Sequence, residues 1–102
     1  MSPRPQIYLV PSAEKAWRGL DGKTREAIKN VLRQAYAAGP HQHSGTGLRR
    51  LSNGFHEARL GLGMRIVFFM EPDAATIYLI GSHDDVSDFV NNRPRRKKGW
   101  HN

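Results

Sequence analysis

Arg65 is the single charged residue in the otherwise apolar stretch Met64 to Met70. A guanidinium among side chains bound for a core needs either a partner or an anion to hold. Just upstream, period-two alternation sets Phe55, Glu57 and Arg59 on one face of a strand and His56, Ala58 and Leu60 on the other. Glu57 and Arg59 therefore share a charged face that can meet Arg65. Further on, a β-rich segment runs straight into Gly81-Ser82-His83-Asp84-Asp85-Val86. An imidazole at a strand end can move a proton in either direction near neutral pH, because its ordinary pKa is about 6.5. Together these residues offer proton transfer beside an anion. Each also has a plain structural alternative: Arg65 in an ion pair only, and His83 in a polar turn that caps a helix.

Other chemistries are poorly served. There is no cysteine, which removes thiolate catalysis, cysteine-based metal sites and disulfides. His41 and His43 are spaced to share a metal, but no third ligand follows at a suitable distance, so no metal or cofactor is expected. Gly45, Gly47, Gly61 and Gly63 form neither a phosphate-binding loop nor a dinucleotide fingerprint.

The elements that must position these residues follow from periodicity. Gln6 to Val10 reads as a short strand ended by Pro11, after which Ser12 can cap a helix whose buried stripe holds Trp17 and Leu20. From Lys23, the apolar positions Ala27, Ile28, Val31, Leu32, Ala35 and Tyr36 recur at helical spacing until Gly39-Pro40, with Arg25, Glu26, Lys29, Asn30 and Arg33 on the wet side. Residues 41 to 47 read as a loop. Then the period changes to that of strands, over Phe55 to Leu60, Met64 to Met70 and Thr76 to Ile80, with turns at Gly61-Leu62-Gly63 and Glu71 to Ala74. Asp84 to Asn92 closes as a short helix turning Val86, Phe89 and Val90 to the core. The expected fold is α+β: an N-terminal strand, a helical hairpin packed on one face of a twisted antiparallel β-sheet, a short C-terminal helix and a basic tail. The second sheet face is left open to solvent or ligand.

With 102 residues, 38% of them hydrophobic, and a formal charge of +7, the chain suits one domain over residues 1–92, followed by a tail over 93–102. Its mean hydropathy is −0.62 and its pI about 10.4. Five of the sixteen Lys and Arg residues fall in the last ten, so the body is only mildly basic. In that tail Arg95, Arg96, Lys97 and Lys98 stand beside Trp100, pairing phosphate-binding charge with a stacking ring, as suits single-stranded nucleic acid. No apolar run is long enough to span a bilayer and no leader pattern opens the sequence, so a cytoplasmic location is the default expectation.

From Leu48 onward the order of motifs resembles the RelE/ParE superfamily of toxins: Leu48-Arg49-Arg50-Leu51, Gly54-Phe55-His56-Glu57-Ala58-Arg59-Leu60, Gly63-Met64-Arg65-Ile66-Val67-Phe68, and Ile77 to Val86. With the helical hairpin, the resemblance covers residues 6 to 92. It implies the toxin of a bacterial type II toxin–antitoxin system, partnered by an antitoxin with an acidic or amphipathic segment. In the RelE-like branch it implies a metal-free endoribonuclease that cleaves mRNA on the ribosome by attack of the ribose 2′-hydroxyl on the adjacent phosphate, inhibiting translation. Arg65 would contact the scissile phosphate, Arg59 would be a second phosphate ligand, His83 the general acid, and Glu57 or His56 the base. Arg49, Arg50 and the tail would bind RNA. The sequence departs from the lysine-rich strand of some relatives, with His56 and Ala58 in its place, and offers only Phe89 or Trp100 for their late aromatic. The alternatives are a ParE-like inhibitor of DNA gyrase, which needs no ribonuclease site, and a non-toxic nucleic-acid-binding member of the fold.

Overall fold

The structure, a computed structural model, describes residues 6–38, 48–51, 54–61 and 63–92. The basic tail and the histidines of the 41–47 loop lie outside the described residues. Strand β1 (Gln6–Leu9) is followed by helices α1 (Pro11–Arg18) and α2 (Gly22–Ala38), strands β2 (Leu48–Arg50), β3 (His56–Leu60), β4 (Met64–Glu71) and β5 (Ala74–Gly81), and helix α3 (His83–Asn92). The α+β expectation is met. The strand Leu48–Arg50 is an addition, because three residues carry no legible alternation.

The strands lie in the order β1-β5-β4-β3-β2. Strands β2 to β5 pair antiparallel, but β1 runs parallel to β5, with Gln6 opposite Ala74 and Leu9 opposite Ile77. The sheet is therefore mixed and not wholly antiparallel. A strand joined to the rest through a helical hairpin is free of the hairpin rule that forces its neighbours antiparallel.

Helix α1 begins with Pro11 at its first position, after Val10, which supplies no side-chain cap. Ser12 is thus inside the helix and not its cap. Proline suits that position because its missing N–H would have no partner there. Ala13 is the fully buried residue of α1, while Trp17 and Leu20 pack around it half-buried. Asp21 caps α2, its Oδ1 accepting the Thr24 amide at 2.8 Å. Arg25 leaves the wet side expected of it. Its guanidinium donates to the Trp17 and Arg18 carbonyl oxygens, both at 3.1 Å, and so closes the end of α1.

Two cores sandwich the sheet. Ile28, Leu32 and Ala35 of α2 meet Leu48, Ala58, Ile66, Phe68, Ala75 and Ile77 on one face. On the other, α3 brings Val86, Phe89 and Val90 onto Phe55, Val67, Phe69, Tyr78 and Leu79. The second face is therefore largely covered, not open. A register shift at Val67/Phe68 makes this possible: Val67 faces Leu79 and Phe68 faces Ile77, leaving Tyr78 as the extra residue. The bulge turns two successive side chains, Tyr78 and Leu79, toward α3. Among the described residues no helix is long and apolar enough to cross a membrane.

Phe68 is fully buried between the sheet and the helical hairpin. Phe68→Ala should destabilise the fold by about 3–5 kcal/mol, the usual range for a large cavity. Urea unfolding of wild type and variant at one pH measures it.

Candidate active site

Charge gathers at the β2–β3–β4 end of the α3-facing side. Arg49 stands opposite Glu57 across β2 and β3, and Arg59 stands opposite Arg65 across β3 and β4. Glu57 is 1% exposed. Both its oxygens are held: Arg49 Nε donates to Oε1 at 2.6 Å and Arg65 Nη1 to Oε2 at 2.9 Å. Burial pushes its carboxyl pKa up, but the bonds from Arg65 and Arg49 outweigh this and set it below the ordinary value of 4.5. Glu57 is thus a fixed anion under two cations.

Those cations differ in exposure. The Arg65 side chain is 22% exposed and that of Arg49 61%, so each shows solvent the donors Glu57 does not use. Arg59 is exposed and makes no ion pair among the described residues. Like charges directly opposite on paired strands repel. One carboxylate against Arg49, Arg59 and Arg65 leaves this end of the sheet with surplus positive charge and free N–H donors, which is what binds a phosphate.

His83 arrives from the next element. Arg65 is paired with Gly81, the last residue of β5, and α3 starts two residues later. Ser82 caps α3: its hydroxyl accepts the Asp85 amide at 3.2 Å, while Asp85 Oδ2 accepts the Ser82 amide at 2.9 Å. The cap reading thus holds for Ser82 and Asp85, and leaves His83 exposed in the first turn. A Cβ on Gly81 would fall 2.9 Å from Asp85 Cβ and overlap its carboxylate, so this turn admits only glycine unstrained. Behind it, Phe55 meets Phe69, Tyr78 and Phe89 edge to face at 5.6, 5.0 and 5.4 Å, locking α3 to the sheet. Phe89 is accordingly a core residue and not a platform for a base.

A cleft of about 280 Å³ separates β2 from α3, lined by Arg49, Arg50 and Leu51 on one side and His83, Val86, Ser87, Val90 and Asn91 on the other. The fold thus brings Arg49, Arg50 and His83 to one groove, and Glu57 ties Arg49 to Arg65. His56 goes elsewhere. It is 6% exposed and stacks on Phe68, with ring centres 5.7 Å apart, on the face covered by α2. There it lines a second cleft, of about 400 Å³, with Tyr36, Met70, Glu71 and Pro72. The sheet stands between His56 and the Glu57–Arg49–Arg65 cluster, although Arg50 is its direct partner across β2 and β3. Arg95, Arg96, Lys97, Lys98 and Trp100 lie outside the described residues. Ser87 and Asn91 escape the sequence reading, although their spacing of four and eight from His83 puts them on one helical stripe with it.

No protein-family model matches the chain, and comparison with curated proteins returns no match. Solved structures do match. In the YoeB–YefM complex from Staphylococcus aureus the similarity has a TM-score of 0.62 at 21% identity, over 78% of this chain and 98% of that one. For the E. coli toxin RelE bound to an antitoxin RelB peptide it is 0.60 at 18% identity, over 92% and 99%. For the RelB–RelE complex from Methanococcus jannaschii it is 0.56 at 12% identity, over 80% and 96%. The chain has the fold of the RelE and YoeB toxins.

Two outcomes follow for the site. Glu57 keeps a depressed pKa when folded, so its ion pairs contribute fully above the unfolded value near 4.5 and are lost as pH falls through the lower folded value. Glu57→Gln should cost about 3 kcal/mol at pH 7, the low end for breaking a buried pair since Arg49 stays hydrated. The gap to wild type should narrow steadily below pH 4.5 in urea unfolding run from pH 7 to pH 3. Gly81→Ala should cost about 1–3 kcal/mol by overpacking; an unchanged melting curve would show that Asp85 moves aside freely.

Proposed function

We propose that the protein is the toxin of a toxin–antitoxin pair and an RNA-cleaving enzyme. One observation carries this reading: a buried carboxylate holds Arg65 and also fixes Arg49, which lines the same cleft as His83. The fold shared with RelE and YoeB supports it, as does the presence of antitoxins in those complexes. A cognate antitoxin is the expected partner, and mRNA on the ribosome the substrate.

The chemistry divides among few groups. The 2′-oxygen of a ribose attacks the adjacent phosphorus, and the bond from phosphorus to the 5′-oxygen breaks. Arg65, aimed by Glu57, takes up the negative charge that grows on the phosphate oxygens, with Arg59 beside it on the neighbouring strand. His83 gives its proton to the leaving 5′-oxygen. Glu57 is a positioning residue in the free protein. The 2′-hydroxyl proton passes to Glu57 once Glu57 has surrendered one of its two guanidinium bonds, and the products are a 2′,3′-cyclic phosphate and a free 5′-hydroxyl. His56, on the far side of the sheet, takes no part.

Induced expression in a bacterial host, with primer extension on cellular messages, tests the reading. Wild type should arrest growth and create new 5′ ends. His83→Gln should lower the cleavage rate by about 10² to 10⁴ with little change in RNA affinity, and Arg65→Ala should lower it as well. Arrest without new ends points instead to gyrase; the absence of arrest removes the toxin reading.

A further inference from the structure

The α3 wall of the cleft continues past His83. Ser87 and Asn91 line it at successive steps of four residues, so the three side chains form one polar stripe over Val86 and Val90. At 1.5 Å per residue the stripe is about 12 Å long, more than one nucleotide needs. The opposite wall is cationic, with Arg49 and Arg50 both exposed. The three aspartates of α3, Asp84, Asp85 and Asp88, are absent from the lining. A strand of RNA can therefore lay its phosphates along β2 without meeting an acid from the helix.

Resting on the ribonuclease reading above, we propose that Ser87 and Asn91 determine base selectivity, reading the edge of a nucleobase next to the cleaved phosphate while Arg49 and Arg50 hold the backbone. Phosphate contacts alone carry no sequence information, whereas a carboxamide presents a donor and an acceptor together and a hydroxyl can act as either. Single-stranded RNA leaves its base edges free for such contacts. Asn91 is exposed and Ser87 half-buried at the cleft, and neither is engaged in a side-chain hydrogen bond among the described residues.

The test is a titration of the full chain, carrying His83→Gln so that RNA stays intact, with four fluorescein-labelled hexanucleotides, oligo(A), oligo(C), oligo(G) and oligo(U). The parent should favour one base over the weakest by tenfold or more in Kd, as expected for one two-point contact. Adding Asn91→Ala should collapse that ratio toward one, and Ser87→Ala should reduce it part way. Asp88→Ala, on the same helix but off the cleft, should preserve it. Arg50→Ala should weaken all four alike and lower the salt dependence. Equal affinities in the parent, ratios unchanged by Asn91→Ala, or no RNA binding at all would each overturn the assignment. A wild type that binds selectively yet cleaves no message would sink the ribonuclease reading and leave the selectivity stripe standing.

Discussion

A carboxylate without water is costly to keep charged, and Glu57 is the residue around which that cost is met. Each of its oxygens takes one guanidinium, one from β2 and one from β4, with Glu57 itself on the strand between them. The interaction does two jobs at once. It bolts the short edge strand β2 to the sheet, and it fixes two arginines that keep part of their side chains in solvent, of which Arg49 lines the cleft. Removing the carboxylate would free the cations to scatter, so the cationic surface depends on an anion beneath it.

The rest of the molecule serves to bring an imidazole to that surface. The bulge at Val67/Phe68 shifts the register of β5 by one residue and commits both Tyr78 and Leu79 to the face that α3 covers. Phe55 then holds Phe89 edge on, and the Ser82–Asp85 cap starts the helix directly after Gly81. His83 sits at the first turn of that helix because each of these constraints acts on the segment beside it. On the other face α2 and Tyr36 are fastened to the β4–β5 turn, where the Tyr36 hydroxyl meets the carbonyl oxygens of Glu71 and Ala74 and accepts the Glu71 amide at 3.1 Å.

The solved toxins share this architecture at identities of 21% and below. At such distance the layers and the strand order persist through hydrophobic pattern, while the chemistry must be argued from the residues on the sheet. Here those are Arg49, Arg59 and Arg65 about one buried glutamate, with Arg49 also lining, beside the exposed His83, a groove with polar and cationic walls. The proposed phosphoryl chemistry on a flexible anionic strand draws on that set.

Much of the fold was legible from period alone. Helices α2 and α3 and strands β3, β4 and β5 emerge within a residue or two of their bounds, because a buried stripe at 3.6 or 2.0 residues is written directly in residue types. The pairing of Arg65 with Glu57 was also legible as a possibility, since a lone guanidinium in an apolar strand must be answered. Pattern could not show that β1 lies parallel to β5, that Arg25 turns back to close α1, or that α3 covers the second face. Nor could it choose between His56 and Glu57. Neighbours in sequence on a strand point to opposite faces, and only the assembled sheet decides which face α2 buries and which meets Arg49, Arg65 and the cleft.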